Sequence, residues 1–147
     1  MKRIHCQTEY CVNCHLCALA CIAAHSESQD LLKAMTREDP KPVARMWVEE
    51  KYPVSMAVQC HHCQDPKCVE SCIAGALYKN EQGVVLLHEE MCVGCGTCQA
   101  ACPYGAPKLI TLDGRRRALK CDLCQGREVP ACVEACPNLA LTYEEGR

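Results

Sequence analysis

Sixteen of the 17 cysteines in this 147-residue chain fall into four groups of four with nearly one grammar. The groups are Cys11, Cys14, Cys17 and Cys21; Cys60, Cys63, Cys68 and Cys72; Cys92, Cys95, Cys98 and Cys102; and Cys121, Cys124, Cys132 and Cys136. The first and third are strict C-x2-C-x2-C-x3-C, and Pro103 follows the third. The second and fourth widen only the gap before their third cysteine, to four and seven intervening residues, and each widened gap holds a proline, Pro66 or Pro130. Cys72, Cys102 and Cys136 are each followed four positions on by an alanine (Ala76, Ala106, Ala140), whereas Cys21 is followed by His25. A chain repeating this unit has to gather its thiols in fours.

The two-two-three spacing is that of thiolates holding [4Fe–4S] cubanes. Three cysteines on one tight loop reach three irons, and the fourth corner is ligated from elsewhere. In two-cluster ferredoxins the fourth cysteine of one run serves the other cluster. Sixteen thiolates match four cubanes at four ligands each. A disulfide framework requires an oxidising compartment, and Met1-Lys2-Arg3 continues into His5-Cys6-Gln7-Thr8-Glu9 without an apolar export core. Structural zinc favours widely separated C-x2-C pairs. Cys11-Val12-Asn13-Cys14-His15 also fits the haem-attachment pattern C-x2-C-H, but Cys17 and Cys21 complete the iron–sulfur run and leave His15 a loop residue. For the two widened groups, a different cluster or a missing corner is the alternative to a cubane. Their flanking C-x2-C and x3-C parts are intact.

The remaining candidates are single residues. His61 and His62 lie inside Cys60-His61-His62-Cys63. With the thiolate count complete, they are expected beside a cluster or in solvent rather than on iron, where a hydrogen bond to sulfur raises a potential. Cys6 is the odd thiol: a free cysteine in an N-terminal strand, or an alternative ligand or partner contact. Arg115-Arg116-Arg117 is the one dense basic run, expected as a solvated hairpin turn, with docking to an acidic partner as the alternative.

Without Phe, with Trp47 the only tryptophan and 4% aromatic residues, an ordinary core is thin here. Cysteine at 17 of 147 residues exceeds the roughly 8–10% that signals a cysteine-built scaffold, and cluster binding is then part of the folding free energy. A net charge of −2 argues against a general nucleic-acid binder. No run of about 18 apolar residues exists to span a membrane, and a cytoplasmic location is expected. No nucleophile–base pairing or glycine-rich phosphate loop is legible, so a carrier rather than an enzyme is expected.

Each group is expected to form a loop running into a short helix, with Pro103 and Pro137 fixing φ after the last cysteine. Expected strands are 84–87, then 109–112 and 116–120 joined by Asp113-Gly114, then 139–143. Residues 31–35 read as a helix with caps in 26–30, ended by Pro40 and Pro42. Residues 43–49 and 54–58 read as strands.

Together the four groups resemble the four-cluster ferredoxin-like electron-transfer subunits of anaerobic oxidoreductases, such as the small subunits of dimethyl sulfoxide reductase, formate dehydrogenase and formate hydrogenlyase. The resemblance covers nearly the whole chain. It is most specific at Cys121-Asp122-Leu123-Cys124 and at Pro130-Ala131-Cys132-Val133-Glu134-Ala135-Cys136-Pro137. The segment 21–45, with His25, Ser28 to Lys33 and Pro40-Lys41-Pro42, is similar to the iron–sulfur proteins that serve carbon monoxide dehydrogenase. The resemblance implies an α+β fold of tandem bacterial ferredoxin-like units with short strands and helices. It implies an inner unit over 53–110, an outer unit over 1–30 plus 111–147, and an insertion over 31–52. It implies four [4Fe–4S] clusters: Cys11, Cys14, Cys17 with Cys136; Cys60, Cys63, Cys68 with Cys102; Cys92, Cys95, Cys98 with Cys72; and Cys121, Cys124, Cys132 with Cys21. The departures at Ile22 and His25 fall in the surroundings of the first group. The implied role is a carrier taking single electrons from a catalytic redox subunit, carbon monoxide dehydrogenase foremost, to a hydrogenase or flavin-dependent reductase. The alternatives are a formate dehydrogenase, hydrogenase or aldehyde oxidoreductase as donor, and a structural or assembly module whose clusters do not turn over.

Overall fold

Every cysteine group folds as a loop entering a short helix that carries its third cysteine. In the computed structural model, which describes residues 1–145, these helices are α1 (Leu16–Ala24, with Cys17), α3 (Lys67–Glu70, with Cys68), α4 (Thr97–Ala101, with Cys98) and α5 (Ala131–Ala135, with Cys132). Residues 146 and 147 of the expected outer unit lie outside the described residues. Cys102 and Cys136 cap α4 and α5 in extended conformation, with ψ 121° and 110°. The following Pro103 and Pro137 account for this, since proline disfavours helical geometry in the residue before it. Group one has Ile22 at that place, and α1 continues through Cys21 to Ala24.

The strands form antiparallel pairs. β1 (Lys2–Cys6) pairs with β8 (Leu141–Glu145), β2 (Trp47–Lys51) with β3 (Val54–Val58), β4 (Leu77–Lys79) with β5 (Val85–Leu87), and β6 (Lys108–Leu112) with β7 (Arg115–Leu119). Helix α2 (Leu31–Thr36) starts where expected, because the Asp30 carboxylate accepts the Lys33 N–H at 2.9 Å. Three local expectations shift. The strand expected from residue 43 begins only at Trp47. The strand expected from Leu139 begins at Leu141, since Leu139 is left-handed at φ 53°. The arginine run is not the hairpin turn: Asp113 and Gly114 make the turn at φ 51° and 74°, and Arg115 to Arg117 lie in β7.

The chain divides into two units, Met1 with Cys60–Asp122, and Lys2–Gln59 with the chain from Leu123 onward. Hairpin β6–β7 keeps 111–119 with the first unit, and hairpin β2–β3 keeps 54–58 with the second, so boundaries at 53 and 110 would cut through paired strands. In the first unit Cys68, Cys92 and Cys98 share one buried cluster with Ala76, Leu77, Val85 and Ala118. In the second, Cys17, Cys21 and Cys132 are buried, as are Ile4, Ala34, Met46 and Leu141. Thiols thus occupy core positions that a richer sequence would give to aromatic rings. Among the described residues no helix is long and apolar enough to cross a membrane.

Gly94 sits between Cys92 and Cys95 at φ +70°, and a Cβ there would stand 2.4 Å from the Arg116 carbonyl oxygen. Gly75 has φ +64° but nothing within 4 Å of a Cβ. Gly75→Ala should therefore cost about 1–2 kcal/mol, the left-handed penalty alone, lowering the melting temperature of the loaded protein by roughly 2–8 °C. Gly94→Ala adds the backbone clash and should lower it at least twice as far in the same thermal scan.

Candidate iron–sulfur centres

The loops carrying the cysteines share a backbone device. The residue just before the second cysteine is left-handed in all four groups: Asn13 at φ 58°, His62 at 46°, Gly94 at 70° and Leu123 at 58°. In groups one and three the residue just after it is left-handed too, His15 at 62° and Gly96 at 81°. Alternating left-handed residues turn successive N–H groups toward one side and make an anion-binding concavity, a geometry found at phosphate and Fe–S sites. Asn and His are among the non-glycine residues that adopt this conformation most readily, which explains how group one reaches the same turn as group three with Asn13 and His15 in place of Gly94 and Gly96.

Sulfur atoms also receive backbone N–H groups directly. Ala76 donates to Cys72 Sγ and Ala140 to Cys136 Sγ, both at 3.3 Å. In groups two and four the alanine four residues after the last cysteine is thus part of the site: its amide reaches back to the sulfur while its small side chain is buried. Ala118 of β7 donates to Cys92 Sγ at 3.3 Å, Arg45 to Cys21 Sγ at 3.2 Å, and Ala57 of β3 to Cys6 Sγ at 3.3 Å. Further bonds hold the loops. The Ser55 hydroxyl donates to the Cys11 carbonyl at 3.2 Å, Asn138 Nδ2 donates to the Tyr10 carbonyl at 2.6 Å, and Arg115 donates to the carbonyls of Glu90 and Cys92 at 2.8 and 3.0 Å. With Arg117 against Glu89 at 3.4 Å, the basic run braces the group-three loop.

Cys11, Cys14, Cys17 and Cys136 line one cavity together with Cys6 and His15. Cys60, Cys63, Cys68 and Cys102 line another with His61, Val85 and Tyr104. In each, three cysteines of one group meet the last cysteine of a different group. Cys72, Cys92 and Cys98 meet in the core of the first unit, and the Cys98 thiol is pushed up by burial and then by the charges of Cys92, Cys72 and Cys95. Cys95 is exposed, and the Thr97 hydroxyl holds its thiol below the ordinary value. In the second unit, Cys21 and Cys132 are buried on α1 and α5, which pack on each other, and Cys124 is buried ahead of α5; Cys121 is buried in the first unit. His25 caps α1, its Nδ1 at 2.9 Å from the Cys21 carbonyl and 3.6 Å from Cys21 Sγ.

The histidines differ from each other. His61 stacks on Tyr104 with ring centroids 4.0 Å apart. His62 is wholly buried, and its Nδ1 accepts the Val85 N–H at 3.1 Å. Cys6 ends β1 and faces the same cavity as Cys11. Burial raises its thiol, partly offset by the Ala57 N–H. Soft thiols in fours, inward N–H donors and small buried neighbours suit a negatively charged thiolate cluster.

Residues 52–145 match the family described as the 4Fe-4S dicluster domain. The protein belongs to that family. This dicluster protein is thus of the [4Fe–4S] class and has the α+β fold expected; group one lies ahead of the matched span. It is 39% identical over 132 residues to the putative electron transport protein YsaA of Escherichia coli K12, covering 89% of this chain and 82% of that protein. It is 34% identical over 145 residues to the B subunit of anaerobic dimethyl sulfoxide reductase of the same strain, covering 90% and 68%. It is 36% identical over 152 residues to an iron–sulfur protein of Rhodospirillum rubrum, covering 94% and 79%.

Burial pushes the Cys17 and Cys68 thiols up to about 11 from 9.0, so the metal-free sites keep both protons at neutral pH. Iron binds the thiolate, and loading releases those protons. Loading should therefore weaken as pH falls from 8.5 to 6.5, with more iron and sulfide needed for half-saturation. Anoxic titrations followed by visible absorbance check this, and a half-saturation point unmoved by pH would contradict it.

Proposed function

We propose that this dicluster-family protein is an electron-transfer subunit holding four [4Fe–4S] clusters for a catalytic redox partner. The proposed ligand sets are Cys11, Cys14, Cys17 with Cys136; Cys60, Cys63, Cys68 with Cys102; Cys92, Cys95, Cys98 with Cys72; and Cys121, Cys124, Cys132 with Cys21. The observation that carries the reading is the crossed lining of the two cavities, where Cys136 joins group one and Cys102 joins group two. Bound clusters would supply one-electron couples, with potentials set by charge, hydrogen bonds and exposure. The chain's own residues do the tuning: N–H groups donate to sulfur, and Cys14 and Cys95 reach the surface, where electron exchange with a partner is shortest.

Carbon monoxide dehydrogenase is the donor that the segment 21–45 favours. A catalytic subunit of the dimethyl sulfoxide reductase kind is the second reading, favoured by the similarity to that enzyme's B subunit. Stopped-flow mixing of the anoxic, oxidised protein with each reduced enzyme separates them: the true donor should bleach the visible absorbance far faster than buffer alone. Equal rates for every enzyme and for buffer would remove the electron-transfer role.

Fully reconstituted protein should contain about sixteen irons per chain. Cys136→Ser should disturb the spectrum of the same cluster as Cys11→Ser, and not that of Cys132→Ser. Iron far below that count, or Cys136→Ser grouping with Cys132→Ser in electron paramagnetic resonance, would overturn the crossed sets.

A further inference from the structure

Lys120 is 3% exposed, although lysine is almost never fully buried unless paired. Its Nζ donates to the Val85 carbonyl and, at 2.6 Å, to the Cys121 carbonyl. Among the described residues no carboxylate pairs with it. An ammonium stripped of water needs an opposing charge, because two carbonyl dipoles do not replace full hydration. Val85, its first partner, is 1% exposed and lines the cavity of Cys60, Cys63, Cys68 and Cys102. His62, from the loop between Cys60 and Cys63, holds the Val85 N–H at 3.1 Å. Thus one peptide segment at the cavity wall is gripped by the cysteine loop through its N–H and by the buried cation through its carbonyl.

We propose that Lys120 is the buried counter-charge of the cluster held at Cys60, Cys63, Cys68 and Cys102, a positioning residue that raises the potential of that one cluster. This rests on the four-cluster reading above. Four thiolates around a cubane would bring the negative charge that no carboxylate among the described residues brings to Lys120, and that charge grows on reduction. A fixed ammonium therefore favours the reduced state, charge being one of the levers that set such potentials.

Full-length protein reconstituted anoxically as wild type, Lys120→Met, Lys120→Gln and Lys120→Arg tests this by redox titration followed by electron paramagnetic resonance. Cys68→Ser marks the signal of the cluster concerned, and Cys121→Ser marks its neighbour in sequence. The Met and Gln variants should keep about sixteen irons and shift only the Cys68-marked midpoint downward. At the wild-type midpoint the reduced-to-oxidised ratio of that cluster should fall about tenfold, equal to 59 mV for one electron. Lys120→Arg should stay near wild type. Unchanged midpoints in fully loaded Met and Gln variants, or a shift confined to the Cys121-marked cluster, overturn the proposal. Should the neutral variants lose iron, loss of only the Cys68-marked signal with Arg fully loaded supports it, and the same loss in Arg overturns it. A wild-type chain short of sixteen irons defeats the four-cluster reading instead, whatever Lys120 does.

Discussion

Thiol sulfur that must carry charge inside a protein is the constraint on which the rest of this structure depends. A buried thiolate loses hydration, and burial, with smaller contributions from neighbouring cysteine charges, lifts Cys17 and Cys68 to about 11. Iron and backbone N–H groups are the two remedies. The chain's part is the second. Left-handed residues at Asn13, His62, Gly94 and Leu123 give each loop the backbone turn found where amides gather around an anion. Strands β3 and β7, far along the chain from the sulfurs they serve, bring the amides of Ala57 and Ala118 to Cys6 and Cys92.

The same constraint shapes the core. Cys68, Cys92 and Cys98 pack with alanines, a leucine and a valine in the first unit, and small residues such as Ala76, Ala106 and Ala140 are nearly inaccessible. Large side chains there would fill the space and displace the amides that reach sulfur. A core so poor in apolar area stabilises a fold weakly by itself. Folding and cluster binding are then one process, as in other small metallo-domains.

Much of this was legible from spacing. The helices after each loop, the Asp30-capped helix, the Asp113-Gly114 hairpin and the cysteine groups all follow from local rules with short reach. Other features resisted, each for a physical reason. Leu139 reads as strand by its side chain, but its left-handed φ delays β8 until Leu141. Arg115 to Arg117 read as a solvated turn, yet the strand register turns Arg115 onto the carbonyls of Glu90 and Cys92. The roles of Asn13 and His15 were present in the text as offsets shared with Gly94 and Gly96, which a position-by-position overlay of the groups exposes.

By itself the sequence determined that thiols come in fours, that each four sits on a loop entering a helix, and that in three of the four groups an alanine follows four residues later. These are matters of a few bonds, and short chain segments obey them wherever they lie. Only the tertiary structure decided that Cys136 lines a cavity with Cys11 and Cys102 with Cys60, that Ala118 serves Cys92, and that Lys120 is buried against Val85. Those are meetings of residues 26 to 125 positions apart, and spacing along a chain carries no record of which distant segments pack together.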